Sequence, residues 1–247
     1  EQFVLPQSVY LQSHSVGRPL RSAKQHFNDA FFNPWEQGKT EPWQQWLAGV
    51  NEFTQQLAIL FNSDARLFCP QVNLSSALTK LVHAHPRLRK NKCKVLMSEQ
   101  DFPSMGFALQ KSLAEGSEIV FIPASLDVCD VNVWQQYLSD DIDLVFISQV
   151  YSNSGKQAPV ADIINYAKSV GVMSLVDVAQ AAGILPIDLN ILKPDFMIGS
   201  SVKWLCGGPG AAYLWVNQAQ LAHRDPKDVG WFSHENPFEF DIHHFAY

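Results

Sequence analysis

The fold class this sequence predicts is a three-layer α/β/α domain with a mostly parallel sheet, and two patterns predict it. Short apolar runs, several of them β-branched, recur at Lys94 to Met97, Ile119 to Ile122, Leu144 to Ile147, Met173 to Val176 and Phe196 to Ile198. Between them, Phe107 to Ala114, Val131 to Leu138 and Val160 to Val170 each have room for a few helical turns, with Pro103, Pro123, Pro159 and Gly171 marking ends. Continuous apolar strands are buried on both faces, and strands alternating with helices require right-handed crossovers between parallel neighbours. The 247 residues, 47% of them hydrophobic, suffice for one sizeable core or two small ones.

Taken in order, residues 1–40 predict an irregular segment, because Gly17, Pro19 and Pro34 interrupt any regular element. Its aromatics Phe27, Phe31, Phe32 and Trp35 fit burial against the domain or against a partner subunit. A long amphipathic helix follows, in which Trp43, Trp46, Leu47, Val50, Phe53, Leu57 and Leu60 keep one apolar face. The large α/β domain is expected over 41–230. A last strand at Ala211 to Val216 leads into GWFSHENPFEFDIHHFAY, which offers no element that closes a domain. Residues 231–247 therefore read as the start of a C-terminal segment, with a small C-terminal domain absent or truncated.

Charge and cysteine usage remove several classes of function. The 18 Lys+Arg against 24 Asp+Glu give a net charge of −6, and the short cluster Arg87, Arg89, Lys90, Lys92 is too small for a nucleic-acid groove. No stretch approaches the roughly 18 apolar residues of a spanning helix, and the N-terminus lacks the layout of a signal peptide. A soluble, cytoplasmic protein without a membrane partner is expected. Cys69, Cys93, Cys129 and Cys206 form no CxxC pair and read as reduced thiols. His83 and His85 stand two apart on a helix and share no face, and His243 and His244 are adjacent, so no metal site is expected.

Four features carry chemistry. Asn73, Leu74, Ser75 and Ser76 open a helix continued by Leu78, Leu81, Val82 and His85; free amides and the dipole at such a terminus suit a phosphate, and an ordinary N-cap has the same composition. Asp177 ends the strand MSLVDV, at the edge where open α/β sheets place ligands, and the small residues Ala179 to Gly183 follow it. Lys203, flanked by Val202 and Trp204, suits a desolvated amine able to form a Schiff base, and Gly207, Gly208 and Gly210 beyond it allow close backbone approach or a simple tight turn. Phe102, in SEQDFPSMG after the strand KVLM, can stack on a planar ring or fill the core.

The run VDVAQAAGILPIDLNILKPDFMIGSSVKWLCGGPGAAYLWV, from Val176 to Val216, resembles the cofactor-binding core of the class V aminotransferase family. These pyridoxal-phosphate enzymes of fold type I include kynureninases, cysteine desulfurases, selenocysteine lyases and isopenicillin N epimerases. The order Asp, Gln, then Lys with GGPG is shared, and EQDFPS, SHSVGRP and GWFSHE are similar to the kynureninase-like branch. The resemblance implies Lys203 as the Schiff-base lysine and Asp177 as partner of the pyridine nitrogen, both catalytic. It implies Gln180 on the ring oxygen and Phe102 stacked on the ring. It further implies Leu74, Ser75 and Ser76 around the phosphate with Ser200 as a further donor, Ser148 as a cofactor contact, and Trp231 reaching the site, from its own or a neighbouring subunit. A homodimer acting on a small amino-acid substrate follows from the same likeness, with kynureninase-like hydrolysis favoured over aminotransferase, epimerase, lyase or non-catalytic outcomes.

Departures from the pattern are as informative. Val202 stands where kynureninases carry Tyr and desulfurases His, so a phosphate donor is missing. The family's asparagine after the third strand would fall at Tyr151 or Ser152, and the nearest one is Asn153. Phe102 replaces the ring-stacking histidine of desulfurases, which argues against desulfurase chemistry.

Overall fold

The computed structural model describes residues 2–38 and 41–246. Strands β1 (Phe68–Gln71), β2 (Lys94–Ser98), β3 (Glu118–Ile122), β4 (Leu144–Ser148), β5 (Met173–Asp177), β6 (Phe196–Ser200) and β7 (Ala212–Val216) form one sheet in the order β1-β7-β6-β5-β4-β2-β3. The pairs β2–β3, β2–β4, β4–β5 and β5–β6 are parallel, while β7 runs antiparallel to both β1 and β6. The predicted mostly parallel sheet is present.

Period-two alternation divides the core between the two faces of this sheet. Val145, Ile147 and Val176 pack on one side with Leu57 of α3 (Trp43–Leu60), Phe61 capping its C-terminus, Trp134 of α6 (Val131–Tyr137) and Ile163 of α7 (Val160–Ser169). Leu144, Phe146 and Leu175 pack on the other with Leu78 and Leu81 of α4 (Leu74–Ala84) and Leu109 of α5 (Pro103–Ser112). That is the three-layer arrangement. Among the described residues no helix is long and apolar enough to cross a membrane.

Several elements depart from expectation. Residues 23–37 are helical rather than irregular: α1 (Ala23–Phe27) runs through a π-helical turn, Asn28–Phe32, into α2 (Asn33–Gln37). Pro34 is accommodated because it sits in the first turn of α2, where its missing N–H costs nothing, and the wider turn before it absorbs the change of register. The domain boundary expected at residue 40 falls outside the described residues, as does Tyr247. Strand β1 was hidden by Pro70, which edge strands tolerate. Helix α5 begins at Pro103, so that proline opens the helix instead of preceding it. Strand β3 is an edge strand with Glu118 and Phe121 exposed, so burial on both faces fails there. The apolar face of α3 is covered at Leu57 and Ala58, whereas Val50 and Leu60 are exposed.

Candidate active site

Strands β2, β4, β5 and β6 are parallel, and β1 shares their direction because both it and β6 oppose β7. Their C-terminal ends therefore lie along one edge, and there the sequence-predicted residues gather: Phe102 after β2, Ser148 ending β4, Asp177 ending β5, Ser200 ending β6, and the N-terminus of α4 after β1.

Lys203 is half-buried in the turn after β6, with its Nζ 5.7 Å from the centroid of the Phe102 ring. Burial lowers the pKa of its amine, and the charge of Asp177 pulls it back up. Asp177 is buried, and its Oδ1 accepts from the Ala179 amide at 2.8 Å. Burial pushes its carboxyl up to about 6, against the Ala179 amide and Lys203, which favour the ionised form. The loop beyond Lys203 is closed by Gly207 N–H donating to the Ser201 carbonyl at 2.8 Å. Gly208 and Gly210 follow at φ +76° and +92°, in the left-handed region that glycine enters without strain.

A strap from the N-terminal segment crosses this loop. The Gly17 amide donates to the Val202 carbonyl at 2.8 Å, and a Cβ on Gly17 would lie 1.9 Å from the Lys203 carbonyl oxygen. Gln180 ties the strap down: its Nε2 donates to the His14 carbonyl, its Oε1 accepts from the Trp204 indole N–H, each at 3.0 Å. One Nε2 hydrogen remains for a ligand.

At α4, Asn73 is the N-cap, its Oδ1 accepting from the Ser76 amide at 2.8 Å. The cap thus engages Ser76 and leaves the Leu74 and Ser75 amides free of it; the Ser76 hydroxyl is turned toward Gln71, 3.5 Å away. Ser148 is buried and in register with Asp177, and Ser200 accepts from the Val202 amide. Phe102 is half-exposed, which excludes the core reading of its ring. Trp231 is not brought to this edge by contacts of its own ring, which packs on Trp43, Phe232, Phe238 and Phe240. In the loop after β4, Tyr151 is buried while Asn153 sits exposed in a turn.

Sequence reasoning missed Asp101. It is buried in the turn after β2, its Oδ2 accepts from the Ser98 amide at 2.8 Å, and burial pushes its carboxyl up to about 7. The available signal was an acid in the strand-to-helix turn just ahead of Phe102. Sequence reasoning also missed a grouping of His234, Glu239 and His244, whose ligand-capable atoms lie within 4.8 Å of one another. Weighing only adjacent histidines overlooked it. In His234, however, Nδ1 accepts from the Asn236 amide and Nε2 lies 3.1 Å from the His244 carbonyl, so both ring nitrogens are engaged by backbone. A groove of about 420 Å³ beside β1 and β7, lined by Gln71, His85, Phe196 and Leu214 among others, contains none of the predicted site residues.

The sequence model of the class-V aminotransferases matches residues 50–237. A kynureninase of Burkholderia mallei is 29% identical over 96% of this chain and 58% of its own length. A kynureninase of Deinococcus radiodurans is 26% identical over 96% of this chain and 59% of its own. The solved complex of the cystine C-S lyase C-DES with its product cysteine persulfide superposes with a TM-score of 0.85 at 24% identity, covering 92% of this chain and 62% of that one. The chain thus spans about three-fifths of the relatives it matches. With the family pattern running over most of its length and the lysine, the acid and the helix terminus on one sheet edge, the chain belongs to the class-V aminotransferase family of pyridoxal-phosphate enzymes.

Proposed function

We propose that this chain is the cofactor-binding part of a pyridoxal-phosphate enzyme acting on an amino acid, with kynureninase-like hydrolysis as its reaction. The observation that carries the reading is Lys203: a half-buried amine, its pKa lowered by burial, facing an aromatic ring and electrostatically coupled to a buried acid. The residues fit the cofactor, since an amine, an acid, an aromatic face and a helix N-terminus share one edge of the sheet.

When bound, pyridoxal phosphate supplies an electrophilic carbonyl and a ring that draws electron density from the substrate. The remainder is done by the chain. Burial keeps a share of the Lys203 amine uncharged, hence nucleophilic, and the same Nζ is placed to carry a proton to and from substrate. Asp177 holds negative charge toward the ring nitrogen. The second Nε2 hydrogen of Gln180 serves the ring oxygen, and the Leu74 and Ser75 amides, with the dipole of α4, serve the phosphate. Ser148 and Ser200 are further contacts, and Val202 supplies no donor. Phe102 in place of histidine, together with the kynureninase relatives, favours hydrolysis over desulfurase chemistry. Likeness to C-DES keeps a lyase as the second reading.

The test is the visible absorbance of the protein with added pyridoxal phosphate beside Lys203→Ala, followed by borohydride reduction and peptide mapping. A band that borohydride fixes on Lys203, absent from the variant, is expected; label on another lysine overturns the assignment. Assay against kynurenine and cystine then separates hydrolase from lyase. A homodimer is part of this reading, supported by the exposed rings of Phe27, Phe31, Phe32 and Trp35. Light scattering is expected to give twice the chain mass, and a monomer over the whole concentration range rejects it.

A further inference from the structure

Two buried acids underlie the site, and the reading above uses only Asp177. Asp101 is 7% exposed; its Oδ2 takes the Ser98 amide at the end of β2, and its Oδ1, buried as well, has no hydrogen-bond partner. Strand β4 lies between β2 and β5, and Ser148 closes it in register with Asp177, so the two acids flank Ser148. Facing the pair are Ser98 on β2, Ser148 ending β4, Tyr151 in the loop after it, Lys203 after β6 and Tyr213 on β7, with Cys129 beyond Tyr151. The cation among them, Lys203, faces Asp177.

An ionised carboxylate buried this deeply loses its hydration, which the Ser98 amide and the Ser148 hydroxyl and amide beside Asp101 replace only in part, and a second negative charge nearby makes that worse. A protonated carboxyl avoids both costs. We propose that Asp101 is a positioning residue, the proton-bearing partner of Asp177: the two buried acids together carry one negative charge, and it rests on Asp177. The inference rests on the proposed function for its use, since a charge fixed on Asp177 is what a ring nitrogen opposite it requires. Were the proton on Asp177 instead, the charge would lie on the acid that Lys203 does not face. The directions of the shifts agree: burial pushes both carboxyls up, the charge of Asp177 pushes Asp101 up further, and Lys203 favours the charge on Asp177.

Carboxyl-¹³C aspartate labelling and NMR titration of the full chain without added cofactor tests this. The resonance that Asp101→Asn deletes is expected to keep its proton until about pH 7, while the Asp177 titration stays where it was in the variant, because a neutral Asn replaces a neutral acid. An Asp101 resonance titrating in the ordinary carboxylate range, or an Asp177 midpoint falling by a unit or more in Asp101→Asn, overturns the proposal. Should the variant not fold, sequential assignment in the unsubstituted protein reads the same resonance. With pyridoxal phosphate added, the pH profile of the absorbance is expected to show an inflection near pH 7 that Asp101→Asn lacks; its persistence counts against the proposal. Absence of any band in both proteins overturns the cofactor reading, and the carboxyl titration still decides where the proton sits.

Discussion

Gly17 sits more than 180 positions from Lys203 in sequence and directly on its carbonyl in space. A methyl group there would lie 1.9 Å from that oxygen, which is backbone and has no side-chain freedom to give way. Gly17→Ala is therefore expected to cost about 3 kcal/mol in urea unfolding, the upper range for overpacking, and to weaken pyridoxal-phosphate binding, because the strap and the Lys203 turn must part. Unchanged unfolding and unchanged affinity would show that the strap yields freely. The chemistry of Lys203 was legible in the sequence, since Val202, Trp204 and the glycines beyond it are its own neighbours. Asp101 was not, because its burial and its orphaned oxygen depend on β4 and β5, remote segments that local reading does not place beside it.

At the scale of elements, α4 is the clearest link from composition to chemistry. Its first turn takes up a local cap, Asn73 to the Ser76 amide, and caps are readable because they involve residues three apart. Asn73→Ala is expected to lose about 1 kcal/mol of stability in a urea titration and, under the proposed function, to loosen cofactor binding several-fold, as the Leu74 and Ser75 amides assigned to the phosphate lose their fixed orientation. The same locality explains which elements were foreseen. Strands β2, β4, β5, β6 and β7 are apolar runs and were read from their own residues to within a residue or two. Strand β1 has only four residues, one of them Pro70, and exists because β7 offers it an edge. Helical residues 23–37 were missed because Pro34 was read as a breaker, whereas position within a turn decides what a proline does.

For the whole molecule, the buried acids couple stability to pH. Asp101 and Asp177 titrate higher folded than unfolded, so the folded chain keeps protons that the unfolded chain has lost above about pH 4. Their contribution is fully present below that and is lost as the pH rises through about 6 to 7. His85, lowered by burial, works in the opposite sense, so the informative quantity is the difference between two proteins that share it. Relative to the unsubstituted chain, Asp101→Asn without added cofactor is expected to gain stability between pH 5 and pH 8, by on the order of 2–4 kcal/mol, read from urea midpoints at each pH. A pH-independent difference would place the Asp101 proton transition elsewhere.

The bond from Gln180 to His14 joins positions 166 apart in the chain. Contacts of that span form only after an extensive loop has closed, and loop entropy places such closures late in folding. The residues around His14 are thus among the last to find their places, waiting for the lysine turn they cover. In refolding from urea, helical circular dichroism should recover ahead of the ability to hold pyridoxal phosphate, and the lag between the two is the time the strap takes to come home.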